Sequence, residues 1–233
     1  NSYHKNILKV FGILLAAGLS ERFESDKLFA TFKDKELIRY PLETFLYCDD
    51  IHSLVIVCNE TNIEKIREIL NSYSIDKKFE LILGGKTRHE SEIFGLNTLK
   101  LMNIDSNDLV AIHDCARSFL PEGLLKELIK EAKTHGSCSP YVETSLYSKL
   151  SQELLTDSLV EIQTPQIFEY KILQNAYIDQ DEEQMISHDT TEQVSKKLNI
   201  ESKVILGSEL NLKITYKEDL ETIKLKLEEF GNK

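Results

Sequence analysis

Two rhythms of apolar and polar positions alternate along the chain. Short apolar-rich runs recur with the length of strands: Val10–Leu15 (VFGILL) and Ser53–Cys58 (SLVIVC), which read as buried, then Phe79–Leu83 (FELIL) and Asp108–His113 (DLVAIH). Between them, apolar residues recur at helical spacing. Leu37, Ile38, Leu42, Phe45 and Leu46 do so within Glu36–Cys48, where Pro41 fits only if the helix proper starts beside it. Asn62–Ser72 is amphipathic, and Arg88–Met102 sets Ile93, Leu96 and Leu99 around a helix. Pro121 opens a helix to roughly His135, Gly136 ends it, and Ser137–Val142 is a fifth strand. Strands regularly separated by helices predict right-handed βαβ units and a doubly wound, mostly parallel α/β sheet.

From Glu143 to Ser158 the rhythm breaks into short segments, which predicts a protruding β-arm at about 143–158. Val160–Gln163 resumes as a strand, and Thr164-Pro165-Gln166 is expected to turn into a helix from about Glu169 to Tyr177. Asp179–Glu183 is an acidic loop, expected to be solvated rather than metal-binding. Thr190–Leu198 is helical, Lys203–Leu206 and Asn211–Ile214 are predicted strands, and Tyr216–Glu229 is a charged closing helix. Phe29–Phe32 is too short to assign. The length of 233 residues admits one α/β domain or two small ones, and the lack of an internal repeat or linker favours a single domain over 1–233.

Composition removes several classes of function. A net charge of -11 argues against a nucleic-acid binder, which needs a basic face to track phosphates. There is no run of about 18 apolar residues to span a bilayer. Phe11–Gly18 is too short for a signal peptide, so a cytoplasmic location is expected, or a plastid-like organelle in a eukaryote with any transit peptide outside this chain. The chain begins at Asn1 rather than methionine, so its native start is expected to differ. The four cysteines, Cys48, Cys58, Cys115 and Cys138, are widely spaced without a zinc-type pattern and read as buried thiols.

Three charged or glycine-rich segments, Gly18–Lys27, Gly84–Arg88 and Asp114–Arg117, fall just after predicted strands, the edge where doubly wound sheets bind ligands. In the first, Ala16-Ala17-Gly18 offers little side-chain bulk, so a ligand can lie against backbone, and Arg22 and Lys27 add cations suited to a polyphosphate. Alone, this is equally a strand, a tight turn and two solvated charges. The dinucleotide fingerprint GxGxxG, a GK[ST] phosphate loop and a GxSxG nucleophile elbow are all absent. His113 reads as a packed core histidine. Phosphate binding without a P-loop suggests nucleotidyl transfer.

Five motifs in order carry a resemblance. They are Leu15-Ala16-Ala17-Gly18-x-x-x-Arg22 with Lys27; Gly84-Gly85-x-x-Arg88-x-x-Ser91-x-x-x-Gly95-Leu96; Ile112-His113-Asp114-x-Ala116-Arg117; Gln163-Thr164-Pro165-Gln166; and Asn211-Leu212-Lys213-Ile214-Thr215 with Glu218-Asp219-Leu220. From about residue 11 to 230 the chain resembles the 2-C-methyl-D-erythritol 4-phosphate cytidylyltransferase family. The resemblance implies an enzyme joining CTP to an alditol phosphate, with release of pyrophosphate, in non-mevalonate isoprenoid synthesis. It implies that Ala16, Ala17 and Gly18 wrap the triphosphate while Arg22 and Lys27 hold it and stabilise the transition state. Gly85, Lys86 and Ser91 would recognise cytosine, Asp114 would face ribose and phosphates, and Arg117 the substrate side. Thr144 and Thr164 match positions contacting the alditol phosphate, and Lys213 a lysine near the α-phosphate. Mg2+ bridging the CTP phosphates is expected, with no metal cage built by the protein. By analogy the arm reaches a second subunit, so a homodimer is expected.

The departures fall mostly on the acceptor side. Ser20 stands where the family has a second glycine, and only five positions separate Arg22 from Lys27. Glu143-Thr144-Ser145-Leu146 replaces the family's Asp-Thr-x-Lys, Cys115 and Ser118 replace an alanine and a proline, and no arginine follows Arg117 where the family places one near Thr156. Lys149 or another cation would then supply the lost contacts. Another polyol phosphate such as ribitol 5-phosphate is an alternative acceptor, and a catalytically silent nucleotide-binding homologue is the alternative outside enzymes.

Overall fold

The structure, a computed structural model, describes residues 7–18, 26–155, 159–177 and 189–231. In chain order the elements begin with β1 (Val10–Leu15), the short antiparallel pair β2 (Thr31–Phe32) and β3 (Lys35–Glu36), α1 (Arg39–Leu46), β4 (Ser53–Cys58), α2 (Ile63–Asn71), β5 (Lys78–Leu83), α3 (Arg88–Leu101) and β6 (Leu109–Asp114). They continue with α4 (Glu122–His135), β7 (Ser137–Glu143), β8 (Leu146–Tyr147), β9 (Leu154–Leu155), β10 (Val160–Ile162), β11 (Gln166–Glu169), α5 (Tyr170–Tyr177), α6 (Thr190–Leu198), β12 (Val204–Leu206) and α7 (Lys217–Gly231).

The main sheet runs β10-β7-β11-β6-β1-β4-β5, with β12 also on β7. β6, β1, β4 and β5 are mutually parallel, as the alternating pattern predicts. The apolar character of β1, β4 and β6 follows from cover on both faces, while β5, at the sheet edge, stays partly exposed. Val10, Leu14, Leu54 and Ile56 pack with Phe45 of α1, Ile66 of α2 and Leu125 and Leu128 of α4. Phe11, Ile13, Val55 and Val57 face the other way, onto Leu96 and Leu99 of α3, Leu173 of α5 and Val194 of α6. Each such side chain contributes about 1.5–3 kcal/mol on burial. Gly136, at φ 77°, ends α4 in the left-handed region as expected.

Two predicted segments differ. Gln166–Glu169, expected as a turn entering a helix, is instead strand β11, inserted antiparallel between β6 and β7, and the helix begins at Tyr170. Its four residues hold only two apolar ones, too few for a period to appear. Asn211–Ile214 is not a strand: a 3-10 turn spans Glu209–Asn211. The buried Asn211 amide Nδ2 donates to the Thr164 carbonyl (2.8 Å), and Ile214 N–H donates to the Ala116 carbonyl (2.9 Å), so the segment is tied down one bond at a time.

The predicted arm is present as the antiparallel pair β8–β9, carrying exposed Leu146, Tyr147, Leu150 and Leu154. The acidic stretch Asp179–Glu183 and the arm position Thr156 lie outside the described residues. No helix among the described residues is long and apolar enough to cross a membrane.

Candidate active site

Register places the carboxyl ends of the central strands side by side, with Leu15 opposite both Val57 and Asp114. A cavity of about 500 Å³ opens there. Ala16, Ala17 and Gly18 line it from the end of β1, Gly85, Lys86 and Ser91 from the β5–α3 junction, and Asp114 from the end of β6. Lys27 and Lys213 enter its wall from loops distant in sequence. Nine of the residues singled out by sequence thus surround one cavity. Arg22 lies outside the described residues.

The small-residue loop is held from behind. Ala16 N–H continues the sheet to Val57 O (2.7 Å), the fully buried Asn62 donates from Nδ2 to Ala16 O (2.9 Å), and Asn59 Nδ2 donates to Ala17 O (3.4 Å). A trans peptide points its N–H opposite its carbonyl, so the amides of Ala17 and Gly18 are turned away from the asparagines. Gly84 lets the second loop meet this one: a Cβ there would lie 2.6 Å from both Ala17 Cβ and Ser91 Oγ. Ser91 Oγ accepts from Gly85 N–H (3.2 Å). Thr87 caps α3 by accepting from Glu90 N–H (3.0 Å), while Glu90 Oε2 accepts from the N–H of Lys86, one residue before the cap (2.5 Å), and the two bonds fix the loop's last turn.

A chain of four alternating charges crosses the cavity wall. Glu92 Oε1 accepts from Arg88 Nη1 (2.6 Å), Arg88 Nε donates to Asp114 Oδ1 (2.9 Å), and Lys213 Nζ donates to Asp114 Oδ2 (2.8 Å). Burial works against the Arg88 charge, but Asp114 and Glu92 outweigh it and hold the guanidinium above its usual range. Burial likewise disfavours the Asp114 carboxylate, and Arg88 and then Lys213 overcome that and hold it well below the usual carboxylate range. Glu92, Asn59 and Asn62 were not singled out from sequence as site residues, and Arg88 was only part of a motif. The available signals were Arg88 and Glu92 one helical turn apart and a paired Asn-x-x-Asn just after a strand.

Three predicted acceptor-side residues lie outside this cavity's wall. Arg117 is buried; its Nη1 donates to Asn211 O (2.9 Å) and its Nη2 lies 3.8 Å from Glu161. Thr144 sits at the base of the arm, its N–H donating to Leu159 O (3.3 Å). Thr164 is buried, and its hydroxyl accepts from Asp114 N–H (3.0 Å).

His113 is a packed core residue, stacked on Phe45. The Arg117 carbonyl, 3.0 Å from Nε2, can only accept, so Nε2 carries the proton and Nδ1 takes the Thr164 hydroxyl (2.9 Å). Burial pushes the His113 pKa down to about 4 from 6.5. Because the folded state resists protonation while the unfolded state does not, this contribution is complete above pH about 6.5 and is lost as pH falls toward about 4. Denaturant titrations of wild type and His113→Gln are expected to differ in slope between those pH values, with about 3 kcal/mol of acid sensitivity absent from the variant.

Among the described residues there is no group of three or more His, Cys, Asp or Glu side chains that could hold a metal ion. Asp114, in the cavity wall, has both oxygens engaged by Arg88 and Lys213. Among the described residues, the cavity wall therefore holds no cluster of side chains suited to caging a metal ion.

A doubly wound sheet whose strand ends gather a small-residue loop, Gly85 and three lysines around one cavity defines a nucleotide-binding α/β protein. The sequence model of the family described as 2-C-methyl-D-erythritol 4-phosphate cytidylyltransferase matches residues 10–229. A protein of that name from Clostridium tetani is 34% identical over 230 residues, covering 94% of this chain and 91% of that one. Its namesake from Dictyoglomus thermophilum is 32% identical over 222 residues, covering 91% of this chain and 94% of its own length. Among solved structures, 4-diphosphocytidyl-2C-methyl-D-erythritol synthase from Anaerococcus prevotii shares the fold, with a TM-score of 0.74 at 22% identity over 95% of this chain and 99% of that one. The bifunctional IspDF from Campylobacter jejuni gives a TM-score of 0.73 at 27% identity, over 92% of this chain and 54% of that one. The chain belongs to the 2-C-methyl-D-erythritol 4-phosphate cytidylyltransferase family.

Proposed function

We infer that this chain transfers the cytidylyl group of CTP to 2-C-methyl-D-erythritol 4-phosphate, giving CDP-methylerythritol and pyrophosphate. The observation that carries this reading is the convergence of Lys27 and Lys213 on the cavity that the Ala16–Gly18 loop and Gly85–Ser91 line. A phosphate oxygen of the acceptor attacks the α-phosphorus in line, and the bond to the departing pyrophosphate breaks without a covalent enzyme intermediate. Lys213, held by Asp114, sits for the α-phosphate, while Lys27 and Arg22 take the charge growing on the leaving group. Ala17 and Gly18 supply amides to the triphosphate, and Gly85, Lys86 and Ser91 form the cytosine end. Magnesium enters with CTP as part of the substrate, carried on its phosphates.

Arg117, Thr144 and Thr164 are assigned to the acceptor side. Because no arginine follows Arg117, the acceptor phosphate has fewer cations than the family pattern supplies, which keeps ribitol 5-phosphate as a second reading. Pyrophosphate release from CTP with magnesium, measured with each acceptor separately and with ATP and UTP as controls, decides between them. Turnover with methylerythritol 4-phosphate alone supports the first reading, and turnover with ribitol 5-phosphate alone replaces it.

The exposed Leu146, Tyr147, Leu150 and Leu154 of the arm suit burial against a second copy of the chain. Light scattering is expected to give the mass of a homodimer, and a monomer mass across micromolar concentrations would remove that assignment.

A further inference from the structure

Glu92 lies on the buried face of α3, after His89 and ahead of Gly95, Leu96 and Leu99. A carboxylate at a position that is 1% exposed is costly unless it is fully partnered. It is: besides Arg88, Tyr177 donates its hydroxyl to Oε2 (2.5 Å) and Thr190 donates its hydroxyl to Oε1. Tyr177 is the last residue of α5 and Thr190 the first of α6, helices whose Leu173 and Val194 pack against the central strands. Glu92 is thus bolted to the body of the fold. Burial and the Glu92 carboxylate push the Tyr177 phenol well above its ordinary range, so it stays a donor.

At the other end of the chain of charges, Lys213 has a side chain that is 44% exposed against 2% for Glu92. A lysine is a point charge on a flexible four-carbon stem, and only its partner gives it a direction. The planar guanidinium of Arg88 has one edge set by Glu92, which leaves Nε a single bearing toward Asp114 Oδ1. Oδ2 of that carboxylate is then the oxygen left for Lys213. We propose that Glu92 is a positioning residue for the cytidylyl transfer, acting through Arg88 to set the direction in which Asp114 holds Lys213 over the cavity. The proposal rests on the functional reading above, since it gives Lys213 a reacting phosphate to meet.

Glu92→Gln keeps the shape and removes the charge. Arg88 then presses its whole charge on Asp114, in competition with Lys213. The variant is expected to lose about tenfold in kcat for pyrophosphate release, with the KM for CTP within about threefold. In a Lys213→Ala background the same change is expected to add less than about twofold, because the residue it positions is gone. Tyr177→Phe, which removes one donor and leaves the carboxylate, is expected to lower kcat in the same direction by a smaller factor, and it serves if Glu92→Gln does not fold. Effects of Glu92 and Lys213 that multiply independently, or a lower melting temperature with kcat intact, would overturn the proposal. Crystal structures of wild type and Glu92→Gln decide it without a substrate: Arg88, Asp114 and Lys213 in unchanged arrangement would also overturn it. A wild type that releases no pyrophosphate would instead sink the functional reading, and the crystallographic comparison would still stand.

Discussion

Replacing Lys27 with alanine is expected to slow pyrophosphate release by about 10³-fold while weakening CTP binding by no more than about tenfold. The backbone that carries Lys27 is fixed: Asp26 accepts from Leu28 N–H (3.1 Å), Lys27 O accepts from Ala30 N–H (3.2 Å), and Leu28 is buried, with its carbonyl taking Ile38 N–H (2.8 Å). A cation based on a fixed turn at the cavity wall does more for charge that appears during reaction than for charge already spread over bound CTP. Single-turnover rates and calorimetric CTP affinity separate the two. Equal losses in both would mean that Lys27 grips ground state and transition state alike, and would move the catalytic assignment to Arg22 and Lys213.

The residues that touch the cavity were more legible than those that hold them there. Ala16-Ala17-Gly18, Gly84-Gly85 and Asp114 announce themselves because small or charged residues directly follow apolar runs, and the doubly wound sheet places such positions on one edge. Asn62 and Glu92 carry no such mark. Each lies inside a helical pattern, and only the packing shows that Asn62 supports the Ala16 peptide and that Glu92 meets Arg88, Tyr177 and Thr190. Strand β11 was hidden for a related reason. Ile167 and Phe168 are too few to establish a period, and what makes them a strand is the gap between β6 and β7 that they fill. Local pattern thus reports strands that carry several apolar residues close together, while segments defined by their neighbours stay silent until the fold is in hand.

The same network sets the second large effect. Replacing Arg88 with methionine is expected to cost about 3–5 kcal/mol of stability, because it leaves the buried Glu92 and Asp114 carboxylates without the guanidinium they share. In a chain of this length that corresponds to a fall in Tm of about 10 °C. Acid should narrow the gap. In the wild type the folded-state pKa of Asp114 is depressed, so its contribution is present above the unfolded carboxylate value and is lost as pH falls through the folded one. Without Arg88 that depression weakens, and the variant has less stability to lose below pH about 4. A second change then separates charge from packing. Arg88→Met with Glu92→Leu removes a buried ion pair as a unit, and is expected to regain at least about half of the loss, since an apolar pair of similar volume replaces it while Lys213 still serves Asp114. Chemical denaturation of the wild type, the single and the double variant at pH 7 and at about pH 2, below the unfolded carboxylate value, gives all three comparisons. A single-variant cost below about 1 kcal/mol, the same at both pH values, would show that solvent already screens these charges; it would also remove the physical basis for a relay from Glu92 to Lys213, because a screened Arg88 has no reason to hold one bearing.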